Sequence, residues 1–451
     1  SALFGVLLPY LVGSWWYGTR KRSREGVLME SANRLFREYK ETIDEGGIIT
    51  ALSVGQEYEE LFKGDKAESG LAKIESRVLA EGELSPLAGG LSVKDREKLE
   101  DLENGPQRKA LALLWAYLGR IELDDPELEK AKFAVAPIAH SLNKSFNAIS
   151  LAYGNTSPLL ASYYAGQMLI QAIPPKSSPL LQLPFFTPAV VKAIEGDSRI
   201  HTTVQDFMDR PDAKRRALVV RPGLLTQDQY AEAVRVAKQL PYFRVAKAFF
   251  KVTGERFIIP SSLVTLVVKG RFVPPGSENV PEIDPLDLED IDPAEDDLDA
   301  ILGRKTAKVV GKDEKTGKPI IESAETELVP APLAHAPYFA RDHSPRWHVF
   351  LTDSKQGRVA VPPFTFAQFD RPIFREDGIT PTFAMQTLKA QFQAPPQAGH
   401  YTFVMHVVCD SYVGFDTKME VTLVVEEPSK LEEVQEDEIS EPEEGKFLSQ
   451  I

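Results

Sequence analysis

The sequence is poor in the residues that build redox and metal sites. Its 451 residues include one cysteine, Cys409, and seven histidines. A single cysteine excludes an internal disulfide framework and is typical of a reducing compartment, where we expect an inert core thiol. His335, His343 and His348 lie close together in the chain but have no cysteine partners at ligand spacing. They are therefore expected to be surface or turn residues rather than metal ligands.

Signatures of nucleotide-binding and hydrolase sites are also missing. The nearest approach to a phosphate-binding loop, Gly311–Pro319, has five residues between its glycines instead of four. It also ends in proline where a serine or threonine would hold magnesium. Neither GxGxxG nor GxSxG occurs in the chain. The sequence therefore predicts a protein that is not an enzyme and has no catalytic, cofactor-binding or metal-binding residues.

Positive charge is outnumbered by negative charge. The chain has 52 Lys and Arg against 66 Asp and Glu, a formal net charge of −14. This balance argues against nucleic acid as the main partner. The length is too great for one compact core and indicates two or three domains.

The first 19 residues carry no charge and are mainly apolar. A membrane-spanning helix needs about 20 such residues, and here aromatic residues end the run and a basic group follows it. A cytosolic body hung from one membrane helix is therefore predicted. A signal peptide, whose charges would precede the apolar run, and a buried soluble helix are the alternatives. The predicted anchor consists of Phe4, Leu8, Leu11, Trp15, Trp16, Tyr17, Arg20, Lys21, Arg22 and Arg24.

Residues 20–250 are predicted to form a cytosolic helical bundle with a helix-turn-helix segment. Apolar residues recur every three or four positions over Leu28–Ile43, and Gly46-Gly47 is expected to end that helix. Thr226 and Gln229 form a capping-box pattern at the start of a later helix.

Near Val252 the helical period gives way to alternation, and residues 251–427 are predicted to form a β-sandwich. The predicted strands cover 257–260, 263–268, 347–351, 401–409 and 418–425. An insertion at about 276–330 separates them, and its acidic part, Pro281–Ala300, has ten acids in twenty residues. Such a segment buries little apolar surface, so we expect it to be disordered or loosely docked.

The chain ends in a second acidic run, the predicted C-terminal tail at 428–451. A solvated tail that aids solubility and a docking segment for a basic partner are both compatible with this composition. The candidate partner-binding residues are Glu436, Asp437, Glu438 and Ser440, and acidic residues follow Ser440 as an acid-directed kinase prefers.

Three segments carry a resemblance to a known family: Ser178–Phe186, Trp347 with Leu351-Thr352-Asp353, and Cys409–Asp416. Together with the segment order, they resemble the Sec63 family of endoplasmic reticulum translocation subunits, from its last membrane helix to its C-terminus. The resemblance implies a multidomain membrane protein. It would comprise one transmembrane helix at 1–19, a helical bundle, and a fibronectin type III-like β-sandwich with an acidic insertion.

The resemblance also implies partners and a location. The chain would be a non-enzymatic subunit at the endoplasmic reticulum membrane that docks on a heterotrimeric protein-conducting channel and helps to hold it open. The contacts would be the membrane helix and the sandwich, with Glu255 as the candidate sandwich residue, while the acidic tail would bind a sister subunit. The family's luminal J domain recruits a heat-shock-seventy chaperone, but its His-Pro-Asp triplet does not occur in this sequence.

Two other functions are compatible with the pattern. The same bundle-plus-sandwich unit occurs at the ends of RNA helicase cassettes, so an accessory module of a helicase is one alternative. A generic membrane-anchored cytosolic adaptor is the other. The predicted membrane helix favours the translocation subunit over the helicase module.

Overall fold

The structure is a computed structural model that describes residues 22–80, 91–292, 298–301, 305–315, 319–325 and 327–430. Helices occupy the first half of this part of the chain, and strands occupy the second half together with one short helix. The helices are α1 (Met29–Glu38), α2 (Glu45–Leu52), α3 (Gln56–Leu61), α4 (Leu71–Val78), α5 (Val93–Glu100), α6 (Pro106–Leu118), α7 (Pro126–Tyr153), α8 (Thr156–Gln171), α9 (Pro188–Glu195), α10 (Val204–Asp209), α11 (Asp212–Val219), α12 (Gln227–Ala237) and α13 (Leu298–Ile301). Short 3₁₀ turns cover Gly64–Ala67, Pro179–Gln182 and Pro285–Leu288.

The strands form two larger sheets and two small pairs. The larger sheets have the orders β1-β2-β9 and β11-β10-β6-β7, and the pairs are β3-β4 and β5-β8. The strands are β1 (Phe243–Lys251), β2 (Leu263–Phe272), β3 (Lys305–Lys312), β4 (Pro319–Glu325), β5 (Val329–Pro330), β6 (Trp347–Asp353), β7 (Arg358–Phe366), β8 (Gln368–Phe369), β9 (Met385–Gln393), β10 (Gly399–Cys409) and β11 (Thr417–Val425). All paired strands in these sheets are antiparallel.

The prediction of a membrane protein with one transmembrane helix is corrected by the structure. Among the described residues, no helix is both long and apolar enough to cross a membrane. Helix α7 has 28 residues, but its first turn alone contains Glu127 and Glu129, and charged side chains are costly in a bilayer. The proposed span at 1–19 and its anchor residues up to Lys21 lie outside the described residues. The described fold is a mixed one, with a helical body and packed sheets.

Local capping explains where several helices begin. Thr226 and Gln229 exchange both hydrogen bonds of a capping box at the start of α12, as predicted. The prediction that Gly46-Gly47 ends a helix is wrong, because both residues lie in the first turn of α2. The Asp44 side chain accepts a hydrogen bond from the Gly47 N–H (2.8 Å) and starts that helix instead. An added Cβ at Gly46 would lie 2.7 Å from Asp95 Oδ2, so a larger residue there would require the Asp95 side chain to shift.

Strand β1 was not expected, since it falls within the segment predicted to be helical. Its alternation is broken by a bulge between Val245 and Lys247, which hides the two-residue period from sequence inspection. The predicted strand at 257–260 is instead part of the loop that joins β1 and β2. The two larger sheets pack face to face around an aromatic cluster, in which Phe272, Trp347 and Phe369 have ring centroids 4.9–5.3 Å apart.

The insertion at 276–330 also differs from expectation where the structure describes it. Strands β3 and β4 pair within it, and Asp290 is buried, with a side chain only 7% exposed. The acidic stretch is therefore anchored to the sandwich at Asp290. The contacts of this residue are described below.

Candidate functional site

The helical body meets the sandwich at the turn between β10 and β11, Cys409–Asp416. Four glutamines of the helical body hold this turn, and we call them the glutamine cluster: Gln167, Gln171, Gln182 and Gln205. Each side-chain amide donates a hydrogen bond to a backbone carbonyl of the turn. The acceptors are the carbonyl oxygens of Cys409 (2.7 Å), Ser411 (2.7 Å), Val413 (2.7 Å) and Gly414 (3.0 Å).

The placement of the cluster follows from local structure. Gln167 and Gln171 are four residues apart on α8 and thus lie on one helix face. Both are buried, with 1% and 2% exposure, so an unpaired amide would be costly at either position. Gln182 ends the 3₁₀ turn Pro179–Gln182, and its Oε1 also accepts a hydrogen bond from the Val413 N–H (3.1 Å). Two of the segments that carried the family resemblance, Ser178–Phe186 and Cys409–Asp416, are therefore in direct contact.

Asp416 is the ionisable residue at the centre of this contact. Its carboxylate accepts hydrogen bonds from the Gln167 amide (3.1 Å) and from the Cys409 N–H (3.0 Å). Although part of the residue is accessible, burial of the carboxyl group outweighs these bonds and raises its pKa to about 7. Burial also raises the pKa of the Cys409 thiol, which is fully enclosed. The expectation of a core thiol is confirmed.

The histidines cluster at the same contact. His343 Nε2 lies 3.2 Å from Asp410 Oδ1, and the rings of His343 and His140 have centroids 5.3 Å apart. Burial, reinforced by His343, lowers the pKa of His140 to about 4. His348 stacks on Tyr163 of α8 at 4.8 Å. Of the three histidines predicted to be surface or turn residues, His335 and His343 lie in loops and His348 lies in β6, and all three are half-buried. Among the residues that the structure describes, no group of His, Cys, Asp and Glu could hold a metal ion.

A second contact joins the start of β7 to the junction of α7 and α8. Arg358 donates hydrogen bonds to the Tyr153 carbonyl (3.0 Å) and to Asn155 Oδ1 (3.1 Å). The Val359 N–H donates to the carbonyl of Gly154 (2.9 Å), a left-handed residue that ends α7. Two separated contacts fix the sandwich relative to the helical body.

The structure describes only some of the predicted site residues. Glu255 is exposed in the loop between β1 and β2, where its N–H donates to the Val252 carbonyl (3.1 Å). Arg22 and Arg24 are exposed in the first described turn, and Arg22 donates to the Gly26 carbonyl (3.0 Å). The other members of the predicted anchor lie outside the described residues, as do Glu436, Asp437, Glu438 and Ser440.

Sequence reasoning missed both polar clusters of the sandwich. One is the glutamine cluster, and the other joins Asp290 to lysines on the outer face of the three-stranded sheet. The glutamines are scattered over nearly 40 residues of helical sequence, and no spacing rule links them. The lysines gave a weak signal in the sequence, because Lys269 follows six apolar or hydroxyl residues in β2. A buried cation at such a position requires a partner.

The family described as Sec63 Brl domain matches residues 24–422 of this chain. The chain is similar to the translocation protein sec63 of Schizosaccharomyces pombe, with 25% identity over 456 residues, 99% of this chain and 61% of that protein. It is also similar to the protein translocation protein SEC63 of Saccharomyces cerevisiae, with 24% identity over 389 residues, 83% of this chain and 48% of that protein.

A shorter part of the chain is similar to a helicase. The U5 small nuclear ribonucleoprotein 200 kDa helicase of Drosophila melanogaster is 31% identical over 166 residues, which are 37% of this chain and 7% of that protein. The translocation proteins match far more of the chain, although the matched region spans only 61% and 48% of their own lengths. Because the family match extends over most of the sequence, the chain belongs to the Sec63 family through its Brl domain.

Proposed function

We propose that this chain is a non-enzymatic subunit of a protein-translocation complex at the endoplasmic reticulum, and that its sandwich docks on the protein-conducting channel. Relatives named as translocation proteins align with up to 99% of the chain. The structural observation that carries the proposal is the glutamine cluster, which fixes the sandwich to the helical body. A contact surface that is already rigid loses little conformational entropy when it binds.

The end of the sandwich that bears the loop between β1 and β2 is the candidate docking surface. Glu255 and Glu427 are exposed there. Asp292, with a side chain 38% exposed, accepts a hydrogen bond from the Gly254 N–H (2.8 Å). The Glu426 N–H donates to the Ile258 carbonyl and brings the end of β11 to the same place. Glu255 and Glu427 are thus the exposed carboxylates at this end, while Asp292 is paired with Lys251. Exposed acids here suit the basic cytosolic loops implied by the family resemblance.

The proposed action is mechanical. The sandwich would bind the cytosolic loops of the channel in one arrangement and stabilise that arrangement, with no covalent step. The acidic tail would bind a basic segment of a sister subunit. Two contacts on one chain raise each other's effective concentration, so each can be weak by itself.

Charge reversal at Glu255 tests the channel contact. The full chain carrying Glu255→Arg is expected to recover at least about threefold less channel in co-purification from mild detergent, because an attractive pair becomes a repulsive one. Glu420→Arg is the matched control, since Glu420 is an exposed acid on β11 of the same sandwich. Equal recovery with both variants, or a larger loss with Glu420→Arg, would overturn the proposed surface.

The tail contact has its own test. Replacing Glu436, Asp437, Glu438 and Ser440 with neutral residues is expected to weaken co-purification of the sister subunit while channel recovery stays unchanged. Phosphorylation of Ser440 would add about −1.5 to −2 charges and strengthen the same contact. Unchanged recovery of the sister subunit at physiological salt would refute the role of the tail.

A helicase accessory module is the second candidate, favoured by the similarity to the Drosophila helicase. Identification of the proteins that co-purify with the full chain separates the two functions. The translocation proposal predicts channel subunits in the eluate. An RNA helicase in their place, lost on treatment with a helicase-binding competitor, would support the second candidate.

A further inference from the structure

The outer face of the three-stranded sheet carries six cations, and the three strands contain no acidic residue. Partners in the strand register share a face, which places these residues opposite the core-facing Phe243, Phe272 and Val268. We call this surface the basic face: Arg244, Lys247 and Lys251 of β1, Lys269 and Arg271 of β2, and Lys389 of β9. The concentration of positive charge is notable in a chain whose net charge is −14.

Like charges are paired directly on this face. Arg244 lies opposite Arg271, and Lys247 lies opposite Lys269, in the antiparallel register of β1 and β2. Cross-strand pairs of like charge destabilise a sheet. The basic face therefore gains stability from any anion that binds over it.

The chain itself supplies anions to one half of the face. Asp290 Oδ2 lies 2.5 Å from Lys251 Nζ, while Asp290 Oδ1 lies 2.9 Å from Lys389 Nζ and 3.9 Å from Lys269 Nζ. Asp292 Oδ1 lies 2.5 Å from Lys251 Nζ. Burial alone would raise the pKa of Asp290, but the two nearer lysines outweigh burial and lower it. The face thus already binds carboxylates from a segment outside the sheet.

The other half consists of Arg244, Lys247 and Arg271. Arg244 and Lys247 are exposed, and their recorded contacts are with aromatic rings, Tyr242 at 5.8 Å and Phe249 at 4.8 Å. Within the described part of the chain, no carboxylate forms an ion pair with any of the three cations. Burial, together with the charge of Arg244, lowers the pKa of Arg271. This half has the same chemistry as the occupied half, but no acid of the described ranges occupies it.

We propose that Arg244, Lys247 and Arg271 form a docking site for an acidic peptide, and that its occupant is the acidic C-terminal segment of the same chain, 432–444. Charge complementarity is the first argument. Residues 431–451 contain one lysine and eight acids, which are Glu432, Glu433, Glu436, Asp437, Glu438, Glu441, Glu443 and Glu444.

The place where the described chain ends is the second argument. Lys430 Nζ lies 4.8 Å from the centre of the Phe257 ring, so the tail leaves the sandwich beside the loop between β1 and β2. That loop also holds Asp292 through Gly254 and adjoins the occupied half of the basic face. The nine residues of β1 span about 30 Å. An extended segment as long as 431–444 covers about 45 Å and therefore reaches Arg244 and Arg271 at the far end.

The basic face would compete with the tail's external partner for the carboxylates of the tail. A tail whose carboxylates contact Arg244 and Lys247 is not free to bind a basic segment of another protein. The docking itself does not depend on the proposed function, because it concerns two parts of one chain. Its test therefore uses the isolated full chain and no translocation partner.

Zero-length carbodiimide cross-linking followed by peptide mass spectrometry tests the docking, since it joins a lysine amine to a carboxylate in direct contact. We expect cross-links between Lys247 and acids of 432–444, and a mixture of isotope-labelled and unlabelled chains should show that they form within one chain. Arg244→Glu is expected to reduce their yield by at least about threefold, the value of one ion pair of this kind. Salt at 1 M, where the Debye length is about 3 Å, is expected to abolish them.

Arg37→Glu is the matched control, because Arg37 is exposed on α1 and the change of charge is the same. Arg244→Glu should not unfold the sheet, since the new carboxylate gains Arg271 as an opposite partner. Three outcomes would overturn the proposal. They are a yield that is equal in the two variants, Lys247 cross-links confined to the acids of 295–297, and cross-links that form only between chains.

Discussion

The glutamine cluster and the basic face both bind a segment to the sandwich, but they use different interactions. The glutamine cluster joins the helical body to the sandwich, and the basic face binds the acidic stretch that contains Asp290. The glutamine cluster uses neutral amides that donate to backbone carbonyl groups at 2.7–3.0 Å. At the basic face, three lysines surround Asp290 with a surplus of positive charge. Hydrogen bonds between uncharged amides and carbonyl groups depend little on salt and suit a permanent joint, whereas a charge-imbalanced contact responds to salt and can accept another anion.

Ionisation of Asp416 would weaken the contact at the glutamine cluster. Its substitution should have the largest effect on the pH dependence of the free energy of unfolding. Its pKa rises from an ordinary 3.8 to about 7 on folding, so the folded protein binds this proton more tightly than the unfolded chain does. Its stabilisation is complete below pH 3.8 and is lost as pH rises through about 7. The full shift corresponds to about 4 kcal/mol, since one pKa unit corresponds to about 1.4 kcal/mol. Because part of Asp416 is accessible to solvent, which screens the shift, the loss should amount to about 2–4 kcal/mol.

Asp416→Asn should therefore remove a fall in stability between pH 4 and pH 8 that the unmodified chain shows. The measurement is urea unfolding of both proteins at several pH values, with the difference between them plotted against pH. Other groups titrate equally in both proteins and cancel in this difference. A difference that stays constant with pH would show that Asp416 is ionised throughout.

Gln182→Leu removes one contact of the glutamine cluster and should lower the free energy of unfolding by about 2–3 kcal/mol. The substitution leaves both the N–H and the carbonyl of Val413 without their partner. Gln391→Leu is the matched control, because Gln391 is an exposed glutamine on β9. The loss should be the same at low and high salt. A loss similar to that of the control would mean that the cluster does not hold the joint.

Asp290→Asn addresses the charged contact and should cost about 1–2 kcal/mol at low salt, because partly exposed lysines lose their common partner. Unlike the loss from Gln182→Leu, this one should shrink in 1 M salt. Denaturation at two salt concentrations gives both values. Equal salt dependence for the two variants would remove the distinction between the contacts.

Arg358→Ala should have the smallest effect, about 0.5–1 kcal/mol. Its hydrogen bonds to Tyr153 and Asn155 are exposed, so water replaces them readily. Lys355→Ala in the adjacent turn serves as the control. A loss above that of Gln182→Leu would place the main joint at the start of β7 instead of at the glutamine cluster.

Much of the secondary structure was predictable from local pattern. The capping residues of α12 and the alternation in β10 and β11 depend on neighbours in sequence, and the structure confirms them. Strand β1 was missed because its bulge breaks the period. The sequence also predicted a membrane-spanning fold class that the described residues do not support.

The two polar contacts needed the tertiary structure. Gln167 and Cys409 are 242 residues apart, and no local rule relates a helix face to a distant turn. Asp290 belongs to an acidic stretch whose composition indicates disorder, yet lysines on three strands hold it, and only the sheet register brings those lysines together.

The sequence by itself determined the family, the general order of helices before strands, the absence of an internal disulfide and the acidic tail, because motif, period and composition are local properties. Tertiary structure alone decided which glutamines fix the sandwich and where positive charge accumulates. Those features depend on residues that meet only after the chain has folded. Their energies arise from desolvation and from charges held at 2.5–3.9 Å across separate elements.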